Sequence, residues 1–456
     1  MARMRLPSTS DSSACALSFE EGAAMSYLLS DPIEKLIHDK PCSAFDKTCE
    51  VLIIGSGYGG AIAAMRLANQ NGSVMVFERG NEYMPGDFPE SLGELPAHVQ
   101  FLRPDRDVPI GNADALFDLR IGDPVSVLVG SGLGGGSLIN ANVAFEPDDQ
   151  VLGDPAWPTA LRNDRAKLSE CFAAVQSLLG VNTDNRYLQK FGALQTLADS
   201  LGEVCRPAPI TVTQRDGVNR VGIQQSACVG CGNCVTGCNV GSKNTLAMNA
   251  LPLAKSRGAK LYTGATVLSI EPNDVPNEPK WKIRFRRTAV SKTVMYKDIF
   301  TMRAQVVILA AGTLGSTEIL LRSQARCPDK LKFSEHLGSR FSTNGDVIAF
   351  GYAQGNKVNA VAHADSAAPA ERRSARNIGP TITGYFQADA DNGPNESGRR
   401  RRVTIEDGAV PSALAHVFGE VIASASLPKR YSKASPHAWF NGANRDKDPL
   451  SVHPEA

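Results

Sequence analysis

Val51-Leu52-Ile53-Ile54-Gly55-Ser56-Gly57-Tyr58-Gly59-Gly60, answered by Val74-Met75-Val76-Phe77-Glu78-Arg79-Gly80, decides the fold. An apolar run enters a glycine cluster, and a helix-compatible stretch from Ala61 to Asn69 leaves it. This is the order strand, tight turn, helix. Gly55 permits the turn, Gly57 lets the backbone approach a pyrophosphate, and Gly60 lets the helix pack closely on the strand, so that a phosphate rests on the helix N-terminus. Glu78 follows Gly55 by 23 residues and closes a second apolar strand. A carboxylate there can accept hydrogen bonds from an adenosine ribose and disfavours a 2'-phosphate. Strand, glycines, helix, second strand and acid in this order predict an α/β, doubly wound, Rossmann-like domain that binds a dinucleotide.

Two further stations indicate which dinucleotide. Gly130-Ser131-Gly132-Leu133-Gly134-Gly135-Gly136-Ser137-Leu138-Ile139-Asn140 follows the apolar run Val125 to Val129. Glycine at such density means backbone close to a ligand, or flexibility. The apolar flanks and the following Asn140-Ala141-Asn142-Val143 argue for a packed turn over a mobile loop. Val306-Val307-Ile308-Leu309-Ala310-Ala311-Gly312-Thr313-Leu314-Gly315-Ser316 again reads as a buried strand turning into a helix, which continues through Glu318-Ile319-Leu320-Leu321. Three stations around one large ligand suit FAD better than NAD.

Together these stations resemble the FAD-dependent glucose-methanol-choline oxidoreductases, and within them the branch that contains the bacterial cholesterol oxidases. The resemblance runs from about residue 48 to about residue 411. It implies a Rossmann-like FAD domain interleaved with a mixed-sheet substrate domain, and a flavin that takes a hydride from a CH-OH carbon. The substrate it implies is a small-molecule alcohol, with a sterol such as cholesterol in view, and the electrons pass to oxygen or to another acceptor. By the same likeness Tyr58, Gly59 and Glu78 hold the ADP half, while Gly136, Asn140, Ala141 and Val143 line the flavin half. Val267, in Ala265-Thr266-Val267-Leu268-Ser269-Ile270, meets the adenine through its backbone. Covalent members attach the flavin through a histidine, and Gly130 to Asn140 contains none, so the expectation is non-covalent FAD.

Alcohol oxidation by this route needs a base near flavin N5. Glu406 is the candidate, in Val403-Thr404-Ile405-Glu406-Asp407-Gly408-Ala409-Val410-Pro411, because the cholesterol oxidases have a similar strand-Glu-loop-Pro arrangement at their catalytic glutamate. An ordinary exposed turn acid is the alternative for this residue, and Asp407 is its local competitor. Beyond Pro411 the likeness stops. Family members go on to a histidine in a His-Pro-Leu-Gly-Gly-like motif and then to an asparagine, both facing the flavin. Here His416, His437 and His453 remain, and none sits in that motif. The expectation is a truncated chain that turns over slowly or not at all, with a non-catalytic flavin-binding protein as the second reading.

Cysteine usage raises a separate question. Of 10 cysteines, Cys228, Cys231, Cys234 and Cys238 form a CxxCxxCxxxC run like that of a bacterial ferredoxin, with Gly230, Gly232 and Gly237 supplying turns. The run is compatible with an iron-sulfur cluster. Against it, Asn239 stands where proline is usual, no second run follows, and sterol-oxidase-like relatives carry a similar run before Gly241-Ser242-Lys243-Asn244-Thr245-Leu246 without membership requiring a metal. Zinc is the lesser option, since four-thiolate zinc sites usually pair two separated knuckles. Both readings stay open at this point. Cys15, Cys42, Cys49, Cys171, Cys205 and Cys327 read as scattered reduced thiols, which suits a cytoplasmic location.

Composition bounds the rest. A chain of 456 residues, 42% hydrophobic and 21% charged, can bury a large core. With 48 basic against 47 acidic residues the net charge is +1, so no global field recruits nucleic acid. The cluster Arg399-Arg400-Arg401-Arg402 reads as a solvated loop among Asp389, Asp391, Glu396, Glu406 and Asp407. No apolar stretch reaches the length of a membrane span. Residues 1–45 read as an extension outside the fold, 46–150 and 256–335 as the two FAD-binding parts, 151–255 as a helical substrate-side segment carrying the cysteine run, 336–426 as substrate-domain sheet, and 427–456 as an irregular tail. Asn344-Gly345 reads as a turn within that sheet.

Overall fold

Alternation within two short strands builds a core on each side of one sheet. In Thr48–Ile54, Leu52 and Ile54 face one hydrophobic cluster and Ile53 the other; in Val74–Phe77, Met75 and Phe77 face the first, Val74 and Val76 the second. Successive side chains of a strand point to opposite faces, and a parallel sheet covered on both sides therefore reads as an unbroken apolar run. A computed structural model describes residues 28–38, 41–69, 72–103, 110–123, 125–288, 298–350, 358–362, 377–389 and 402–417.

The main sheet has seven strands in the order Asp31–Pro32, Lys260–Thr263, Val74–Phe77, Thr48–Ile54, Phe300–Leu309, Trp281–Arg287 and Ala265–Pro272. The first five are parallel to their neighbours, and the last two join antiparallel. On one face, Phe45, Phe77, Phe285 and Phe300 meet edge to face or stacked, with ring centroids 5.0 to 5.7 Å apart. On the other, Ala61 and Ala64 of helix Tyr58–Leu67 meet Ala250, Leu251 and Ala254 of helix Ala250–Ser256. Small side chains there bring the two helices close to the sheet and to each other.

Outside this sheet the elements are smaller. Ile110–Gly111, Val99–Leu102, Phe117–Arg120 and Val127–Gly130 form a four-stranded sheet whose last strand feeds the second glycine loop. Gly384–Asp389 lies between Arg206–Pro207 and Arg402–Glu406, and helix Gln189–Ser200 packs Leu194 and Ala198 on Phe386 of that central strand. The Rossmann-like α/β architecture with a mixed-sheet companion is thus present.

Four expectations are corrected. The helix that leaves the glycine turn is Tyr58–Leu67, capped by Gly57, and it starts three residues before Ala61. Residues 31–37, expected outside the fold, supply an edge strand to the main sheet and bury Ile33, Leu36 and Ile37 in its core; a five-residue helix is too short for its periodicity to be read. Residues 337–350, expected as sheet, are irregular, with Val347 90% and Ile348 79% exposed. Gly345 does adopt a left-handed φ of 80°, but no strand flanks it. The strand Phe300–Leu309 is not buried throughout, since Val306 is 45% exposed. The arginine run from Arg399 to Arg401, Asp391, Glu396, His437, His453, Cys15 and the tail from residue 427 lie outside the described residues.

Candidate functional site

The three glycine stations meet along the C-terminal ends of the parallel strands, where open α/β sheets bind their ligands. Their backbones touch because no side chain intervenes. A methyl group on Gly55 would come within 2.3 Å of the Ala310 carbonyl oxygen, one on Gly135 within 2.9 Å of Gly57 Cα, and one on Gly80 within 2.5 Å of the Gly132 nitrogen. Gly60 is as constrained, 1.9 Å from the Gly55 carbonyl oxygen, which is why the helix can leave the strand so abruptly. Gly57, Gly59 and Gly136 differ. A methyl group on any of them would meet nothing within 4 Å. Their missing side chains leave space in the cleft itself.

That cleft measures about 1750 Å³ and is lined by Gly55, Gly57, Tyr58, Gly59, Glu78, Gly136 and Val267 among others, together with Ala310 to Gly315 of the third station. It exceeds the roughly 300–1,000 Å³ of ordinary small-molecule sites. The strand Ala265–Pro272 slips register between Val267 and Ser269, beside the cleft. Of the residues assigned to the flavin half, only Gly136 lines the cleft. Asn140 donates from Nδ2 to the Tyr58 hydroxyl at 2.8 Å, leaving its own Oδ1 unpartnered; Ala141 is half-buried, and Val143 bridges to Ile210.

Ser56 is the residue that sequence reasoning passed over. Fully buried, it donates from Oγ to Glu78 Oε2 at 2.6 Å, and the Gly134 N–H donates to the same Oγ at 2.9 Å. Glu78 also accepts from the N–H groups of Ser56 and Gly80, each at 3.0 Å. The carboxylate thus orders both glycine loops and keeps lone pairs for a ligand hydroxyl. At the same end of the cleft, buried Asp118 accepts from Arg79 at 2.6 Å and Arg120 at 2.8 Å, and Arg120 also reaches Glu318 at 2.8 Å. Asp118 and Arg120 belong to no motif, and nothing in the Glu78-Arg79-Gly80 stretch pairs Arg79 with them, so only the fold brings the three together. Phe341, Ser342, Thr343 and Asn344 line the cleft as well, so Asn344, expected only at a turn, stands in the site.

Glu406 closes the strand Arg402–Glu406 opposite Tyr385 and does not line the cleft. Its link to the cleft runs through Asp346, two residues beyond Asn344. Burial, followed by repulsion from Asp346 and Asp407, pushes its pKa up to about 7. Asp407 is removed as its competitor. It is buried, receives the Lys190 ammonium at 2.6 Å, and accepts from Thr383 and Gly384 N–H groups, so its oxygens are committed to holding the chain.

The cysteine run is also corrected. Among the described residues no three or more His, Cys, Asp or Glu side chains converge as a metal ligand set. Cys228 packs on Ala208, Ile210 and Val212, Cys231 bridges in backbone to Gly379, and Gly230, Gly232 and Gly237 make left-handed turns between the cysteines. Burial, and after it the neighbouring Cys234, pushes Cys228 up to about 12 and raises Cys231 and Cys238. Nothing in this arrangement supports an iron-sulfur cluster or zinc.

Comparison with known proteins adds three findings. The family model for GMC oxidoreductases matches residues 49–342. A cholesterol oxidase of Mycobacterium tuberculosis is 31% identical over 316 residues, which is 66% of this chain and 52% of that protein; one of Acinetobacter baumannii is 28% identical over 321 residues, 66% of this chain and 54% of that protein. A long-chain-alcohol oxidase of Arabidopsis thaliana is 24% identical over 334 residues, covering 70% of this chain and 39% of its own length. The chain therefore spans about half the length of the cholesterol oxidases it matches.

Proposed function

We propose, for a chain that belongs to the GMC oxidoreductase family, that the cleft holds FAD non-covalently and that the protein oxidises an alcohol, a sterol first among them. The observation that carries this reading is the single cleft shared by three glycine stations, with space at Gly57, Gly59 and Gly136 where side chains would otherwise stand. The fit is chemical as well as spatial. Gly57 begins helix Tyr58–Leu67, whose free N–H groups suit a pyrophosphate, and Glu78 suits a ribose hydroxyl. Asn140 and Tyr58, bonded to each other, join the flavin-half segment to that helix.

When bound, FAD supplies a two-electron acceptor at N5 for the hydrogen that leaves the alcohol carbon with its electron pair. The chain supplies the rest. Glu406 takes the hydroxyl proton, so that the C–O bond becomes a carbonyl; with a pKa of about 7 it is poised between base and acid at neutral pH. The sterol or long-chain alcohol named by the relatives defines the substrate class, and oxygen or a separate acceptor receives the electrons afterwards. The test is anaerobic reduction of the FAD-loaded chain, followed by loss of visible absorbance. Cholesterol and a long-chain primary alcohol are compared with buffer alone. Bleaching by cholesterol is expected. FAD binding without bleaching by either alcohol would return the protein to a flavin-binding role without catalysis, a reading favoured by the position of Glu406 outside the cleft lining.

A further inference from the structure

Lys243 is a fully buried cation that pairs with no carboxylate among the described residues; the thiols of Cys234 and Cys238 are the titratable groups that face it. Its ammonium donates to the carbonyl oxygens of Leu138 at 3.0 Å, Asn140 at 2.7 Å and Cys234 at 2.9 Å, and among the described residues it makes no ion pair. Burying an ammonium costs several kcal/mol unless a counter-charge or a full set of hydrogen bonds offsets it. Three carbonyl dipoles satisfy its three donors and leave its charge uncancelled. A leucine or methionine would fill the space without that cost, so packing alone does not account for the residue. Burial lowers its pKa to about 8, with Cys234 and Cys238 pulling the other way.

The segment it grips is unusual. Asn142 is buried with a left-handed φ of 73°, and both side-chain amide atoms lack partners, as does Asn140 Oδ1. A non-glycine residue in that conformation persists only where its surroundings over-determine it. Two attachments do so here: Lys243 holds the carbonyls at 138 and 140, and Thr211 donates from both N–H and Oγ1 to the Asn142 carbonyl. Gly136, which lines the cleft, is two residues from the first of these carbonyls.

We infer that Lys243 is a positioning residue for the flavin half of the site, fixing the Leu138 to Asn142 segment from behind and laying a positive charge without a carboxylate partner under it. This rests on the FAD reading above. A fixed positive charge behind an acceptor of electron pairs favours its reduced, more negative form, because the dipoles and charge are in place before the transfer.

The experiment uses Lys243→Met, which keeps length without donors or charge, Lys243→Gln, which keeps a donor without charge, and Lys243→Arg, which keeps both. Three quantities are read: backbone hydrogen exchange from Gly134 to Asn142 in the FAD-free protein, the FAD dissociation constant, and the two-electron midpoint potential of the loaded protein. Exchange in that segment should rise in the Met form while Val74–Phe77 stays protected. FAD binding should weaken by about tenfold, the size expected for one unit charge acting across several ångströms of partly polar protein. The potential should fall in both the Met and Gln forms and be retained by Arg. Unchanged potential in Gln and Met overturns the electrostatic role, and unchanged exchange overturns the positioning role. A chain that takes up no FAD in any form would count against the proposed function, while the exchange measurement on FAD-free protein still decides whether Lys243 positions the segment.

Discussion

Glu406 ends a strand where desolvation, with Asp346 and Asp407 adding repulsion, makes its charged form unfavourable. In the unfolded chain a glutamate titrates near 4.5, and here the folded value is about 7. The folded state therefore keeps the proton to higher pH than the unfolded state. Below about pH 4.5 both states are protonated and the residue imposes no difference; stability falls as pH climbs from there to 7, and the penalty is constant above it. Because the side chain is only half-buried, solvent screens part of this effect. Glu406→Gln should match the unmodified chain in thermal unfolding at pH 4 and exceed it at pH 8. An unmodified chain that is the more stable of the two at pH 8 would mean that the carboxylate has a cationic partner. The same substitution should abolish alcohol-dependent bleaching if Glu406 is the base, losing about 100-fold to 10,000-fold in rate.

At the scale of elements, the turn from strand Thr48–Ile54 into helix Tyr58–Leu67 contains two glycines with opposite duties. Gly60 has no room for a methyl group because the Gly55 carbonyl lies 1.9 Å from its ideal Cβ, whereas at Gly57 nothing lies within 4 Å. Gly57 also has φ −64°, which alanine accepts. Gly60→Ala should cost about 3 kcal/mol of folding stability, the upper end of overpacking effects, read as a lowered urea midpoint. Gly57→Ala should change stability by less than about 1 kcal/mol, since it only exchanges one helix-capping residue for a poorer one. Its effect should fall on FAD, whose affinity should drop at least tenfold by isothermal titration, because the new methyl group occupies the space beside the phosphate-binding N–H groups. Equal losses of stability in the two variants would show that Gly57 serves the fold and not the ligand.

Across the whole molecule, the Lys190–Asp407 ion pair joins parts of the chain separated by 217 residues and is only 2% exposed on either side. Burial pulls the lysine below its ordinary pKa, and Asp407 offsets part of that shift. Asp407 additionally accepts from two backbone N–H groups, so it anchors the strand Arg402–Glu406 and with it the candidate base. Lys190→Met should cost about 3–5 kcal/mol, since it strands a buried carboxylate, and should broaden or split the urea transition if the small sheet unfolds first. Adding Asp407→Asn should recover much of the loss. A single-variant cost under about 1 kcal/mol would place the pair among solvent-screened contacts.

Apolar runs, glycine placement and one acidic residue were sufficient to specify the parallel sheet, its first crossover and the phosphate turn. Those features are local: a strand's alternation, a turn's φ and a helix's first residue are set by neighbours in the chain. The third station and the second glycine loop were legible for the same reason. What the sequence could not supply was convergence. Ser56 between two loops, Asp118 between Arg79 and Arg120, Lys243 beneath Leu138 and Asn140, and Lys190 against Asp407 are long-range contacts between residues ordinary in their own surroundings. The four cysteines illustrate the converse, since regular spacing gave the pattern of a ligand set, but among the described residues no such set forms. Spacing determines which residues are near along the chain, and only the folded backbone determines whether their side chains reach a common point.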